Sequence, residues 1–263
     1  MSLVFSAIVP HPPILIPSIG KEHIDSITAT KSALEHLEQD LYATKPDTLI
    51  IISPHGQIQA DSFTININAE FRADFKSFGD FTTVDTFDGD TTLLTIDKER
   101  ISDQVPINII SDPALDHGVS IPLYYLTRHL PNIRIIPIGF SFLDNQSHLA
   151  FGQALKETIL STDKRVAVIA SADLSHCLTE KSPLPFNPAG KEFDDTMMRL
   201  LANRDTTAIT NLDQQLVERA GECGLRSIII LLGTLSGMNY QSEIISYEAP
   251  FGVGYPVVRF VLE

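Results

Sequence analysis

"LVFSAIVPHPP", residues 3–13, decides how this chain is read. Leu3 to Val9 form a short apolar run rich in β-branched and aromatic side chains, the composition of a buried strand. Pro10 closes it, His11 follows at once, and Pro12 and Pro13 stiffen the backbone beyond. A strand that ends this way delivers an imidazole on a rigid loop at its carboxyl end.

The same arrangement recurs. "DTLIIISPH" (47–55), "INIISDPALDH" (107–117) and "RVAVIASADLSH" (165–176) each run from a strand into a histidine, namely His55, His117 and His176. Helical spacing of apolar residues fills the intervals: 22–43, 119–130, 146–160, 189–203 and 212–219, with 224–235 read as a buried helix or, as the second reading, a strand. Further strands are expected at 62–68 (half-exposed) and 133–140, and two more, 240–249 and 254–262, close the chain. Strand and helix in alternation predict an α/β fold. The expectation is a single domain, 1–263, with a central mostly parallel sheet flanked by helices. A strand-rich insert is expected near 61–97, with "FDGDTT" (87–92) as a turn, and residues 180–190, with three prolines, as a long loop that could cover a site.

Bulk properties narrow the partners. Hydrophobic residues make up 43% of the 263 and charged residues 20%, as in ordinary globular proteins. The net charge of −14 repels nucleic-acid phosphates and anionic lipid, so neither is expected as a partner. The longest apolar runs are too short to span a bilayer. The N-terminal stretch lacks a basic leader and reads as the first strand, not a signal peptide. Two cysteines, Cys177 and Cys223, make no disulfide framework, and a cytoplasmic location is expected.

In open α/β sheets ligands gather beyond the carboxyl ends of the strands. A lone histidine there is more often solvated or hydrogen-bonded than functional. Four at equivalent positions point to one shared site, and imidazoles without several thiolates suit iron, zinc, manganese or copper. "ERAGECGLRS" (218–227) offers the carboxylate: Glu222 stands at the mouth of an apolar helix, where a charge needs compensation by a cation or by the helix dipole. Two histidines and a carboxylate make the facial triad of non-haem Fe(II) oxygenases. His176 then suits an acid/base role, with Asp173 three residues before it to orient it. Phe140, Phe142, Phe186, Tyr124 and Phe251 are candidates for an aromatic pocket.

Taken together, "PHPP", "ISPHG", "DHGVSIPLYYL", "SADLSH", "AGECGLRSIIILLGTL" and "YEAPFGVGY" resemble the class III extradiol ring-cleaving dioxygenase catalytic-subunit superfamily, and within it the Memo-like branch that includes AmmeMemoRadiSam system protein B. The matching segments run from about residue 7 to residue 256. The resemblance implies Fe(II) held by His11, His55 and Glu222, with His176 as acid/base and His117 near the substrate. The implied reaction opens a catechol-like ring beside its hydroxyls with O₂. "CGLR" resembles Memo-like proteins, in which a cysteine occupies the metal site. Cys223 therefore competes with Glu222 as third ligand, and a thiolate favours copper or zinc. The alternatives that follow are a Memo-like metal-binding or redox protein without ring cleavage, and a zinc-dependent hydrolase. A homo-oligomer and a radical S-adenosylmethionine protein partner are further expectations drawn from the resemblance.

Overall fold

The computed structural model describes residues 2–93 and 98–263. Its frame is a sheet of ten strands: β1 (Leu3–Val9), β2 (Thr48–Ser53), β3 (Phe63–Asn66), β4 (Glu70–Phe75), β5 (Asp80–Gly89), β6 (Ile107–Ile110), β7 (Arg134–Gly139), β8 (Val166–Ser171), β9 (Tyr240–Glu248) and β10 (Tyr255–Leu262). The order is β4-β5-β7-β2-β8-β1-β10-β9, with β3 beside the end of β7 and β6 beyond β3. The centre, β5-β7-β2-β8-β1, is parallel. Both flanks are antiparallel, β4 on β5 and β10 between β1 and β9, so the expected mostly parallel centre sits within a mixed sheet.

The central strands are apolar on both sides because helices cover both faces. Alternation along β1 sends Ile8 to one core and Phe5, Ala7 and Val9 to the other, and an irregularity between Leu3 and Phe5 turns Leu3 to the side of Ile8. β2 does the same, with Ile50 and Ile52 on the first face and Leu49 and Ile51 on the second. Six main helices complete the layers: α1 (Thr28–Thr44), α2 (His117–Leu126), α3 (Asn145–Leu160), α4 (Pro188–Ala202), α5 (Gln214–Ala220) and α6 (Leu225–Thr234). α3, α4 and α6 belong to the first core, α1 and α2 to the second. Among the described residues no helix is long and apolar enough to cross a membrane.

Several expectations are corrected. The helix expected from residue 22 starts at Thr28. Lys21–Ile27 is a 3₁₀ segment, ended by Ile27 at φ −121°, outside the helical region. β3 is buried along its whole length, not half-exposed, because β7 and β6 flank it and the first core covers it. In "FDGDTT" the first three residues finish β5 and only Asp90 onward turns. The loop from 180 stops at Asn187, whose side chain caps α4 by accepting from the Ala189 N–H. The insert carries β3, β4 and β5, and its final residues, 94–97, lie outside the described residues.

Candidate metal centre

β1, β2 and β8 are neighbours in the sheet and end at one level, with Val9 beside Ser171 in register. Their loops therefore bring His11, His55, Asp173 and His176 to one edge. His117 arrives there as the first residue of α2, whose cap, Asp116, accepts from the Val119 N–H.

His11 is 2% exposed and held at three points. Its backbone N–H donates to Asp173 Oδ1 at 2.9 Å, and its Nδ1 lies 2.8 Å from Ser171 Oγ. Its Nε2 faces His55 Nε2 at 3.0 Å and Cys223 Sγ at 3.6 Å. A hydroxyl at Nδ1 can take that ring N–H and leave the Nε2 lone pair free, the usual way a second partner orients a metal-binding imidazole. His55 is set by Ser53, whose Oγ receives the His55 N–H at 3.2 Å and donates to Asp116 at 2.6 Å. His117 stacks on His55 with ring centroids 4.2 Å apart and meets His11 edge-on at 5.5 Å. Phe78, from the insert, closes over His117 at 5.3 Å.

Crowding three imidazoles at the sheet edge, with His11 buried, His117 half-buried and His55 open to solvent, keeps them neutral. Burial, then the neighbouring His117 and His176, hold His11 well below the ordinary histidine range. Burial, then His11, His117 and His176, push His55 down to about 3. Burial also lowers His117, against the pull of Asp116 and Asp173. Neutral imidazoles are the form that binds metals. Burial raises Asp173 to about 6 even though it accepts the His11 N–H.

Glu222 and Cys223 part company. The Glu222 carboxylate turns to the start of α6, where Oε2 accepts the Leu225 N–H at 2.5 Å, and burial raises it to about 7. Cys223 turns inward. The side-chain donor atoms of His11, His55 and Cys223 lie within 4.8 Å of one another and form a group able to hold an ion. The expected set of His11, His55 and Glu222 is thus not the one the fold brings together. Gly221, at φ +58°, ends α5 in a left-handed turn, and the chain re-enters a helix within four residues. In so tight a turn consecutive side chains diverge.

The donor set fits a cation. A tetrahedral ion with N and S ligands at about 2.0 and 2.3 Å sets N···N near ~3.3 Å and N···S near ~3.6 Å. The observed 3.0 and 3.6 Å lie close to both. Burial, Asp173 and Glu222 together raise the Cys223 thiol, so the sulfur needs a cation beside it to ionise, and coordination deprotonates a thiol outright.

Asp173 does not orient His176 as expected: it is 5% exposed and spends its hydrogen bond on His11. His176 Nδ1 is buried with no partner among the described residues. The loop at 180–187 is already seated here, for the Leu184 N–H donates to the His176 carbonyl at 3.1 Å and its side chain lies against Gly221. The five candidate aromatics do not gather into one pocket. Tyr124 packs with Phe75, Tyr125 and Arg128, two turns along α2 from the site, and Phe140 and Phe142 flank Arg226. Phe186 stands exposed, and Phe251 packs partly buried against the second core. The cavity that opens beside His55, about 340 Å³, is instead lined by Gln57, Thr64, Asn66, Asp112 and Asp116 with apolar residues between. Ser53, Ser171 and Phe78 escape the sequence reading. The two serines have a signal in retrospect: each ends an apolar run in the strand that leads to a histidine.

Comparisons with known proteins agree with this frame. Protein CA_C1420 of Clostridium acetobutylicum is 32% identical over 276 aligned residues, covering 98% of this chain and 58% of the relative. The chain thus spans somewhat over half the length of that relative. The crystal structure of uncharacterized protein JW3007 from Escherichia coli K12 shares the fold, with a TM-score of 0.70 at 13% identity over 97% of this chain and 99% of that one. A family model described as the catalytic LigB subunit of aromatic ring-opening dioxygenase matches residues 6–258. With nearly the whole chain inside that match, the protein belongs to the LigB family of aromatic ring-opening dioxygenase subunits.

Proposed function

We propose that this chain is a metal-dependent oxidoreductase whose ion is held by His11, His55 and Cys223, acting on a small catechol-like molecule. One observation carries the reading: Cys223 Sγ, not the Glu222 carboxylate, stands 3.6 Å from His11 Nε2. A thiolate in the set favours copper or zinc over Fe(II). The bound ion supplies Lewis acidity, and copper supplies a redox couple as well. The chain's own residues do the rest. Ser171 holds His11 in one ring orientation, and Ser53 with Asp116 holds the His55 loop. Asp173 fixes the His11 backbone. His176, with Nδ1 unpaired, moves a proton to or from the substrate, which enters by the cavity beside His55.

Metal content of protein purified without oxygen tests this. Glu222→Ala retains the ion and Cys223→Ser loses it, with melting temperatures measured to exclude unfolding. The reverse result returns the site to a two-histidine, one-carboxylate iron centre. Extradiol cleavage with Fe(II) is the second reading, favoured by the family and by His117 lying against both His11 and His55. Oxygen uptake across a catechol panel by the iron-loaded protein, lost in His176→Ala, is its signature.

A further inference from the structure

Arg226, in the first turn of α6, is an arginine without an acceptor. Among the described residues Arg226 and Arg259 are the partly buried arginines. Arg259 donates to Asp40 at 2.7 Å. Arg226 makes no hydrogen bond or ion pair with a described residue, and its Nε is buried with no partner. Glu222 is near enough to feel its charge, but turns Oε2 to the Leu225 N–H instead. The guanidinium lies by the ring of Phe140, 5.5 Å from its centroid, and by that of Phe142, at 5.7 Å. Cation–π attraction accounts for that placement. It supplies no acceptor for the guanidinium N–H groups, and a buried donor left unpaired is unfavourable.

The Arg226 side chain lines a cavity of about 500 Å³ that is separate from the one beside His55 and touches none of His11, His55 and Cys223. Leu212, Val217 and Leu225 give it an apolar wall. The amides of Asn145 and Asn211 line it too, but they already donate to the carbonyls of Thr210 at 3.0 Å and Thr207 at 2.8 Å. Arg226 is the one cation in this lining, and the other charged group, Asp144, is exposed and accepts the Ser147 N–H at 2.8 Å. Phe142 borders the cavity and is 62% exposed, so its ring offers a flat apolar surface next to the unpaired guanidinium. A planar fork of donors beside an uncovered aromatic face matches a carboxylate carried on a flat apolar body.

We propose that this cavity is a second ligand site, distinct from the metal centre, for a small carboxylate with a flat apolar body. The carboxylate accepts from the Arg226 guanidinium and the body packs on Phe142. Benzoate is the probe, titrated by calorimetry into the protein as purified and again after a chelator has removed metal. Saturable binding of equal affinity is expected in both. Arg226→Gln binds benzoate roughly 10-fold more weakly, as expected for loss of a charge-assisted hydrogen bond. Phe142→Ala binds it about 3-fold more weakly. Benzamide, of the same shape without the charge, binds the parent roughly 10-fold more weakly than benzoate does. Melting temperatures check both variants. Phe142 is exposed, so its variant and the benzamide comparison decide the matter even where Arg226→Gln fails to fold. Equal benzoate affinity in folded Arg226→Gln, benzamide binding as tightly as benzoate, inorganic phosphate binding as tightly as benzoate, or no benzoate binding at millimolar concentration overturns the inference. Benzoate binding that disappears on chelation or in Cys223→Ser belongs to the metal centre; it overturns this inference and leaves the site of His11, His55 and Cys223 standing.

Discussion

A single hydroxyl illustrates how the site is tuned residue by residue. Ser171 ends β8, and its Oγ sits 2.8 Å from His11 Nδ1. Ser171→Ala removes that partner without opening the core, because it deletes one atom at a strand end. The expected result is about a 10-fold loss of metal affinity in a competition titration, with an unchanged circular dichroism spectrum. At this scale the sequence is informative about residue type but not about direction. His11, His55, His117, Asp173 and His176 are legible because each follows an apolar strand, and they do gather at one edge. Glu222 and Cys223 are adjacent, chemically plausible alike, and separated only by how the turn at Gly221–Gly224 aims them. No spacing rule distinguishes two neighbours in so tight a turn.

At the scale of elements, close packing of two helices outweighs helix propensity. α3 and α6 cross where Gly152 and Gly233 meet. A Cβ on Gly152 would lie 2.1 Å from the Ile230 carbonyl oxygen, and one on Gly233 2.5 Å from that of Leu149. In an isolated helix Gly→Ala stabilises by about 1 kcal/mol. Here Gly152→Ala forces the two backbones apart and costs about 1–3 kcal/mol, seen as a lower denaturant midpoint. The helices and central strands are legible because apolar periodicity of 3.6 residues, or an unbroken apolar run, follows directly from which faces are covered. What periodicity cannot reveal is a partner distant in sequence. β3 reads as half-exposed because its alternation is real, yet β6 and β7 arrive from residues 107–139 and bury it.

For the molecule as a whole, stability depends on pH through carboxylates buried between elements. Asp194, on α4, accepts the Ser175 N–H at 2.9 Å and the Tyr247 hydroxyl at 2.6 Å, joining α4, the site loop and β9. Burial raises it to about 6. An acid whose folded pKa exceeds its unfolded value binds its proton more tightly when native. Its contribution is therefore present below about pH 4 and is lost as pH rises to about 6. Asp194→Asn keeps an acceptor for Ser175 and removes that dependence. The variant is expected to gain on the order of 2 kcal/mol relative to the parent between pH 4.5 and pH 7.5, in urea unfolding at both values. The α/β class, the central strands and the edge where the histidines collect follow from the sequence alone, because burial on both faces of a sheet writes itself locally as apolar runs. The antiparallel flanks and the orientation of Glu222 and Cys223 belong to the tertiary structure. They depend on contacts between segments as far apart as Ser6 and Phe260, and local pattern carries no record of which distant segment will arrive.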